Sequence, residues 1–295
     1  MTQVRRVGVL GCGLMGAGIA QVSAAAGYET IVREVSDEAL QKGLAGIDKQ
    51  LSKAVEKEKI TAADRESTLA RITGSTDLSA LSGCDLIIEA VVEDLEVKNA
   101  MWKELDGICA PTAIFASNTS SLTIADMAAA TNRPERMIGL HFFNPVPVMQ
   151  LVEVVRTIAT DQHVFESAME FGRSLGKEPI ECRDNSGFVV NLLLVPYMMD
   201  AIRALEQGVA TIEDIDKGMR LGAGYPMGPF TLCDFVGLDT LAKIGGIMYE
   251  EYREKRYAAP PLLKRMISFG YFGRKSGKGF YDYSHDPPVA VGLGL

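Results

Sequence analysis

The chain has 295 residues, of which 47% are hydrophobic and 23% are charged. This composition is typical of globular proteins, and the length is sufficient for two domains that each bury a hydrophobic core. The formal net charge of −8 argues against nucleic acid as a partner, because binding to phosphates needs clustered Lys and Arg side chains.

The first part of the chain has the pattern of an α/β sheet. From residue 4 to about residue 182, short apolar runs alternate with helical patterns, which predicts a doubly wound sheet. Apolar residues recur at helical spacing between Leu40 and Val55, so a long amphipathic helix is expected there, and Thr61 with Asp64 has the spacing of a capping box. The predicted strands are residues 6–10, 29–33, 86–91, 113–117, 137–142 and 151–156.

After Cys182 the pattern becomes helical, with no alternating strand to interrupt it. The polar, glycine-containing segment 183–187 separates the two patterns, so we expect an α/β domain at residues 1–183 and an all-helical domain at residues 184–295. The predicted helices are residues 188–207, 212–221, 229–236 and 238–253.

Cysteine usage and hydropathy indicate where the protein works. The five cysteines lack Cys-x-x-Cys spacing and their number is odd, so we expect buried, reduced thiols and no metal site. No segment reaches the roughly 18–20 consecutive apolar residues of a membrane helix, and we expect no cleavable signal before the first predicted strand. These features predict a cytoplasmic protein without membrane contact.

A glycine motif joins the first predicted strand to the helix that follows it. Gly11 permits a tight turn, Gly13 leaves room for a pyrophosphate, and Gly16 lets the helix approach the strand. Glu34 follows at the end of the second strand, at roughly the 20-residue spacing of a carboxylate that binds ribose hydroxyls. Its charge favours NAD, although the neighbouring Arg33 leaves NADP as an alternative. The motif therefore predicts a Rossmann-like NAD site. The residues expected to contact the cofactor here are Gly11, Gly13, Leu14, Met15, Gly16 and Glu34.

One histidine stands out as a candidate proton carrier. His141 ends an apolar strand, whereas His163 and His285 lie in polar segments and are expected to be solvated. The next strand carries Glu153 as an isolated charge, and a buried carboxylate needs a partner. If these strands pair antiparallel around Pro147, the two residues lie opposite each other. The carboxylate would then fix the imidazole tautomer, so that the other nitrogen takes a hydroxyl proton while hydride leaves to a nicotinamide.

The polar segment 117–121 follows another predicted strand end, where open sheets place ligand contacts. Its hydroxyls and the amide of Asn118 are candidates for holding a substrate oxygen and the cofactor. Capping of the next helix explains the same residue types nearly as well. Both interpretations stay open at this point.

Together these residues resemble the short-chain 3-hydroxyacyl-CoA dehydrogenase family, and especially its single-function bacterial members that act on 3-hydroxybutyryl-CoA. The resemblance extends from about residue 4 to residue 283 and implies NAD-dependent oxidation of a (3S)-3-hydroxyacyl-CoA. It also implies that the helical domain binds the substrate and forms a homodimer. The matching segments are the glycine turn and residues 89–93, 117–121, 141–145, 222–229 and 273–280.

The resemblance also implies roles for individual residues. His141 would be the base with Glu153 as its partner, Ser120 and Asn191 would contact the substrate oxygens, and Asn144 would support the histidine. Near the cofactor the resemblance places Glu93 and Lys98, beside Asn118 of the polar segment described above, and near the CoA moiety it places Lys53 and Lys57.

Taken without the resemblance, these charged residues have simpler explanations. Lys53 and Lys57 fit a solvated helix face, and Glu93 with Lys98 fits a surface ion pair. Two positions depart from the family pattern: Leu192 stands where arginine is frequent, and Ser186 where proline is common.

Two competing functions remain. One is a related 3-hydroxy-acid or sugar-acid dehydrogenase of the gulonate or 3-hydroxyisobutyrate type, although the second type uses a lysine base. The other is a non-catalytic NAD-binding protein of the same fold, which would be expected to have lost His141, Glu153 or Ser120. All three are present.

Overall fold

The computed structural model describes residues 4–294 and divides the chain into two compact units. The first unit ends at Phe188 and the second begins at Val189, a few residues beyond the polar segment singled out in the sequence. Each unit contains its own hydrophobic core. Within residues 4–294, no helix combines the length and apolar character needed to cross a membrane.

The first unit is built on an eight-stranded sheet with the strand order β3-β2-β1-β4-β5-β6-β7-β8. Its strands pair in parallel except for β6 and β7, which are antiparallel. The predicted doubly wound α/β class is confirmed. The strands are β1 (Arg6–Leu10), β2 (Glu29–Arg33), β3 (Ile72–Ser75), β4 (Leu86–Glu89), β5 (Ile114–Ser117), β6 (Met137–Phe142), β7 (Leu151–Arg156) and β8 (Glu178–Arg183).

Two of these strands were not predicted, and two are shorter than predicted, β4 by two residues and β5 by one. β3 has only four residues, two of them exposed. β8 lies at the sheet edge, with three of its six residues exposed and two partly exposed. Neither strand therefore has a buried apolar run. β4 ends at Glu89 because the Glu89 carboxylate accepts a hydrogen bond from the Val91 N–H at 2.8 Å, which belongs to a turn and not to the strand.

Helices cover both faces of this sheet. Successive strand residues face opposite sides, so Leu86 and Ile88 belong to one core cluster and Ile87 to the other. Helices α1, α2 and α6 pack on the first face, and α4 and α5 on the second. The helices of this unit are α1 (Leu14–Ala25), α2 (Asp37–Glu56), α3 (Ala62–Ala70), α4 (Leu95–Ile108), α5 (Ile124–Ala128) and α6 (Gln162–Ser174).

Local capping explains where two of these helices begin. The Ser36 side chain accepts a hydrogen bond from the Ala39 N–H at the start of α2. The predicted capping box is confirmed at α3, where Thr61 and Asp64 each accept a hydrogen bond from the backbone N–H of the other. Both helices of the long insertion between β2 and β3 therefore begin at side-chain caps, of which the sequence predicted the one at Thr61.

The second unit is mainly helical, as predicted. Its first helix begins two residues later than expected, because Phe188 has a left-handed backbone with φ of +49°. A fifth helix, α11, was missed, and so was a short pair of antiparallel strands near the C-terminus. The elements are α7 (Val190–Glu206), α8 (Ile212–Gly222), α9 (Pro229–Val236), α10 (Leu238–Tyr252), α11 (Pro261–Ser268), β9 (Tyr281–Asp282) and β10 (Val289–Ala290).

The turn between β6 and β7 is held on two sides. On one side, Val146 packs so closely against Gly18 of α1 that a Cβ at residue 18 would lie 2.9 Å from the Val146 Cβ. On the other side, the buried Lys177 ammonium donates hydrogen bonds to the carbonyl oxygens of Val146 at 2.6 Å and Met149 at 2.8 Å. Burial lowers the pKa of Lys177. A buried cation therefore fixes this turn through backbone carbonyls.

We predict that Lys177→Met destabilises the first unit. The substitution keeps most of the side-chain volume but leaves the carbonyls of Val146 and Met149 without their donor, which should cost about 1–3 kcal/mol. Urea unfolding would measure the loss. Lys103→Met, on the exposed face of α4, is the control and should change little. Equal unfolding midpoints for the two variants would contradict this role.

Candidate active site

The antiparallel pair β6 and β7 brings a histidine and a carboxylate together. His141 lies opposite Glu153 in the register, and its Nδ1 is 2.6 Å from Glu153 Oε2. Both side chains are buried, with His141 6% exposed and Glu153 0% exposed. The prediction that the strands pair around Pro147 and place these residues opposite each other is confirmed.

This geometry determines what the imidazole can do chemically. An ionised carboxylate only accepts hydrogen bonds, so the neutral imidazole carries its proton on Nδ1 and donates it to Glu153. The lone pair of Nε2 is then available to take a proton. When it does, the adjacent carboxylate stabilises the imidazolium.

Two aromatic rings flank this imidazole. The ring centroid of His141 is 4.5 Å from that of Phe143 and 5.6 Å from that of Phe188. Sequence reasoning did not single out either ring. Phe143 follows the histidine closely and could have been suspected, but no local signal connects the distant Phe188 to it.

The glycine motif has the geometry expected of a nucleotide-binding turn. Gly11 has φ of +89° and donates its N–H to the Arg33 carbonyl at 2.8 Å. A Cβ at Gly16 would lie 1.9 Å from the Gly11 carbonyl oxygen, whereas a Cβ at Gly13 would meet nothing within 4 Å. Gly13 is also the N-cap of α1 and provides no side-chain cap. The first helix N–H groups are thus available to an anion such as a pyrophosphate.

Glu34 lies directly against this turn. Its carboxylate accepts hydrogen bonds from the N–H of Cys12 at 2.8 Å and of Val35 at 2.7 Å. Burial, with a further contribution from the Glu34 charge, raises the pKa of Cys12 to about 11, so its thiol is neutral. The five cysteines are buried and free, as predicted. Glu34 keeps lone pairs with which to accept hydrogen bonds from ribose hydroxyls.

Exposed apolar side chains surround the same turn. Leu14, Val35 and Val92 are 66%, 74% and 65% exposed, and they follow the carboxyl ends of β1, β2 and β4. Apolar side chains next to a few polar groups are suited to the flat rings of a dinucleotide. Sequence reasoning missed Val35 and Val92, because an isolated valine after a strand carries no signal of its own. The residues present thus fit NAD.

A buried charge cluster follows β4. The Lys98 ammonium, 1% exposed, pairs with Glu89 and lies 3.2 Å from Glu93. Burial alone would raise the pKa of Glu93, but the Lys98 charge and hydrogen bonds from Thr119 and Ser121 prevail and lower it. The alternative that Glu93 and Lys98 form a surface pair is therefore wrong.

The polar segment 117–121 makes several internal hydrogen bonds, but none of its side chains caps α5, whose N-cap Thr123 has no side-chain cap bond. Its contacts with substrate and cofactor stay predictions. The Ser117 hydroxyl donates to Glu89 at 2.6 Å, and Thr119 Oγ1 accepts from the Leu122 N–H at 3.0 Å, which stabilises the turn before α5. Asn118 Oδ1 accepts a hydrogen bond from the Phe142 N–H at 2.8 Å. Asn118 thereby ties this segment to the end of β6, directly beside the histidine.

Lys53 and Lys57 are exposed and line a groove of about 900 Å³. Its other walls include Arg71 and the turn after β6, at Pro147 and Val148. The groove therefore combines cations with apolar surface. The two interpretations of these lysines, a CoA contact and a solvated helix face, both stay predictions.

Comparison with known proteins identifies the family. Residues 6–185 match the NAD binding domain of 3-hydroxyacyl-CoA dehydrogenase, and residues 187–283 match its C-terminal domain. The chain belongs to this family. It is therefore an NAD-dependent oxidoreductase of the 3-hydroxyacyl-CoA dehydrogenase type, as the sequence motifs indicated.

Individual relatives are similar over nearly the whole chain. A 3-hydroxybutyryl-CoA dehydrogenase of Mycobacterium tuberculosis is 51% identical over 282 residues, which cover 95% of this chain and 99% of the relative. The human mitochondrial hydroxyacyl-coenzyme A dehydrogenase is 50% identical, with 95% and 91% covered. The crystal structure of (S)-3-hydroxybutyryl-CoA dehydrogenase from Ralstonia eutropha has a TM-score of 0.92 at 43% identity, with 96% of this chain and 100% of that chain covered.

The remaining residues named from the family pattern lie in separate places. Asn144 is exposed in the turn after β6, and Asn191 is in the first turn of α7 in the second unit, so their substrate roles stay predictions. Of the two departures, Leu192 packs against the core of the second unit. The Ser186 hydroxyl donates to the Ser121 carbonyl at 2.6 Å, a bond that proline could not make.

The two glycines of the turn give a matched test of the NAD site. Gly13→Ala should fold normally, because its Cβ meets no protein atom, but should weaken NADH binding by about 10-fold or more, because the methyl group enters the space for the pyrophosphate. Gly16→Ala should instead lower the melting temperature of the apoprotein, because its Cβ collides with the Gly11 carbonyl. Calorimetric titration with NADH and thermal unfolding measure the two effects. Unchanged NADH affinity in Gly13→Ala would show that this turn does not hold the cofactor.

Proposed function

We propose that this chain interconverts (3S)-3-hydroxyacyl-CoA and 3-ketoacyl-CoA with NAD, and that short-chain substrates such as 3-hydroxybutyryl-CoA are preferred. The observation that carries the proposal is the buried hydrogen bond between His141 and Glu153, in a chain whose first part belongs to an NAD-binding family. The short-chain preference is supported by relatives that are named 3-hydroxybutyryl-CoA dehydrogenases.

The proton chemistry belongs to His141. In alcohol oxidation Nε2 takes the proton of the 3-hydroxyl group, and Glu153 stabilises the imidazolium that results. In the reverse direction the imidazolium returns the proton to the oxygen of the 3-keto group. Bound NAD supplies the hydride acceptor. Ser120 and Asn191 would hold the substrate oxygens, and Asn144 would support the histidine.

The residues that hold the cofactor are those around the carboxyl ends of β1, β2 and β4. The backbone of the glycine turn, including Leu14 and Met15, would bind the pyrophosphate, and Glu34 would accept the ribose hydroxyls. Glu93, Lys98 and Asn118 would complete the site towards the nicotinamide. Their buried ion pairs and hydrogen bonds provide the rigid support that such positioning requires.

The groove beside α2 would receive the CoA moiety. Lys53 and Lys57 supply positive charge for its phosphates, and the apolar side of the groove is suited to the adenine and pantetheine groups. Both lysines are exposed, so the attraction should depend on salt.

The helical part of the chain would complete the substrate site and form a homodimer, with domains at 1–183 and 184–295. Large apolar side chains of this part, such as Leu193, Leu221 and Phe269, are 66%, 74% and 77% exposed, which favours a partner surface there. Free buried thiols are suited to a reducing compartment, so we propose a cytoplasmic enzyme.

Replacement of His141 or Glu153 tests the proposed function. With acetoacetyl-CoA and NADH, His141→Gln and Glu153→Gln should each lower kcat by about 10²–10⁴, with little change in NADH affinity. Glu153→Gln also removes the charge that stabilises the imidazolium, so the acid limb of the pH profile for alcohol oxidation should move to lower pH.

The double variant sharpens this test. Because the two residues act as one unit, replacing both should cost much less than the product of the single losses. His163→Gln, on an exposed helix start, is the control and should keep normal turnover. Near-normal turnover and an unchanged pH profile for Glu153→Gln would contradict the proposed role of the pair.

Cofactor preference depends on Glu34. NADH should be used with a higher kcat/KM than NADPH, because the carboxylate accepts ribose hydroxyls but repels a 2′-phosphate. Glu34→Ala should narrow the difference, and comparison of kcat/KM for the two cofactors measures it. Equal or better use of NADPH by the unmodified enzyme would mean that Arg33 sets the specificity.

The CoA groove is tested by charge reversal. Lys53→Glu or Lys57→Glu should raise KM for acetoacetyl-CoA more than it lowers kcat, because a remote phosphate contact contributes mainly uniform binding. The effect should shrink as salt is added. Lys42→Glu lies on the same helix outside the groove and is the matched control. If the KM values of all three variants agree at low ionic strength, the groove does not bind CoA.

A further inference from the structure

The imidazole of His141 is nearly closed off from water. Phe143 and Phe188 approach it from different parts of the first unit, and Phe188 is itself only 3% exposed. Among the described residues of this unit, Glu153 is the one charged side chain that pairs with the imidazole. The environment of the histidine is thus a carboxylate on Nδ1 and two aromatic rings beside the ring.

Two further ionisable side chains of the first unit, Cys182 and Lys98, carry no unpaired charge. On β8, burial and the Glu153 charge raise the pKa of Cys182 to about 12, so its thiol is neutral. On the side of β4, Lys98 is paired with Glu89 and Glu93. Beside the Glu153 carboxylate, the rings of Phe143 and Phe188 are therefore the contacts of the imidazole whose removal tests its protonation.

Phe188 reaches the histidine through a strained backbone. It has φ of +49°, and the preceding Gly187 has φ of +84°. A non-glycine residue in this region is uncommon and energetically unfavourable. Such conformations persist where the surrounding structure holds them in place, and they are frequent at functional sites. The strain at Phe188 therefore calls for an account of what holds it and what it does.

Hydrogen bonds of the Asp184 and Ser186 side chains hold the segment before Phe188. Both Asp184 carboxylate oxygens accept hydrogen bonds at 2.7 Å, one from the Ile124 N–H and one from the Ala125 N–H. The Ser186 hydroxyl donates to the Ser121 carbonyl at 2.6 Å. These bonds fasten residues 184–188 to the start of α5 and to the polar segment 117–121, which Asn118 in turn joins to β6.

We infer that Phe188 is a positioning residue for His141, an inference that rests on the proposed function of the histidine. Its ring blocks rotation of the imidazole away from Glu153 and excludes water from it. The anchors at Asp184 and Ser186 serve to place this ring. The segment that ends the first unit is thus part of the machinery that prepares the base.

Two opposing effects decide how removal of the ring changes protonation. A ring beside an imidazolium stabilises it weakly, whereas exclusion of water destabilises the buried ion more strongly. Phe188→Ala should admit water, so the imidazolium becomes easier to form. The acid limb of alcohol oxidation should therefore move to higher pH, opposite to the direction expected for Glu153→Gln.

The experiment compares Phe188→Ala and Phe188→Leu with Phe165→Ala as a matched control. Phe165 of α6 is also buried, at 7% exposed. Its ring packs on the Arg156 guanidinium at the end of β7 and not on the histidine. Steady-state kinetics are measured in both directions, with acetoacetyl-CoA and NADH for kcat and with 3-hydroxybutyryl-CoA and NAD for the acid limb. They are combined with NMR titration of the His141 imidazole. His163→Gln and His285→Gln assign its signal, because the chain has only three histidines.

We expect Phe188→Ala to lower kcat about 10-fold or more, with NADH affinity and KM within about twofold of the unmodified enzyme. Its imidazole titration and acid limb should move up by roughly half a pH unit or more. Phe188→Leu keeps an apolar cover and should lie between Phe188→Ala and the unmodified enzyme. If Phe188→Ala does not fold, Phe188→Leu supplies the kcat and the imidazole titration that test the inference. Ser186→Ala should also move the imidazole titration and the acid limb to higher pH, but by a smaller shift than Phe188→Ala.

The proposal is overturned if kcat and the imidazole titration of the Phe188 variants match those of Phe165→Ala. If instead the unmodified protein does not oxidise NADH with acetoacetyl-CoA, the proposed function fails. The NMR titration still decides whether Phe188 controls protonation of His141, because that measurement needs no turnover. The two failures are therefore distinguishable.

Discussion

A hydrogen bond between two buried side chains, His141 and Glu153, is the constraint on which the site depends. Burying an ionised carboxylate costs several kcal/mol unless a well-placed partner offsets the loss of water. The antiparallel pairing of β6 and β7 provides that placement, because residues directly opposite each other in such a pair have Cβ atoms about 4.5–5.5 Å apart. The other strand pairs of the eight-stranded sheet are parallel. The one reversal in strand direction is where the acid–base pair lies.

Neighbouring elements maintain this reversal and connect it to the nucleotide site. The turn after β6 is pressed against Gly18 of α1 and held by Lys177, so the helix that starts at the glycine turn also supports the hairpin that carries the histidine. On the other side, Asn118 links β6 to the segment after β5. Hydrogen bonds from Thr119 and Ser121 then join this segment to Glu93. The stability effects of substitutions at these residues should therefore be non-additive, because residues in one hydrogen-bond network are not independent.

Much of this arrangement could be predicted from the sequence where a short pattern has only one physical solution. The glycine turn needs Gly11 and Gly16 for steric reasons that are local, and an isolated Glu153 in an apolar strand requires a partner nearby. Long, strongly amphipathic helices such as α2 were found for the same reason. These are features whose cause lies within a few residues or within one strand pair.

Other features depend on contacts between distant segments and carry no local signal. β3 and β8 owe their existence to neighbouring strands and not to an apolar run of their own. Lys98 resembles a surface lysine in sequence, yet the fold buries it between two carboxylates. Phe188 looked like the start of a helix, whereas its left-handed backbone and its contact with His141 arise from anchors some sixty residues away in sequence, at Ser121 and Ile124.

The tautomer of His141 in the unmodified protein tests the central claim most directly. Nitrogen-15 NMR of the three imidazoles at neutral pH distinguishes a proton on Nδ1 from a proton on Nε2. The account predicts a neutral His141 with its proton on Nδ1, donated to Glu153, and with Nε2 unprotonated. A neutral imidazole that carries its proton on Nε2 would contradict it, because that nitrogen could not then accept the proton of the substrate hydroxyl.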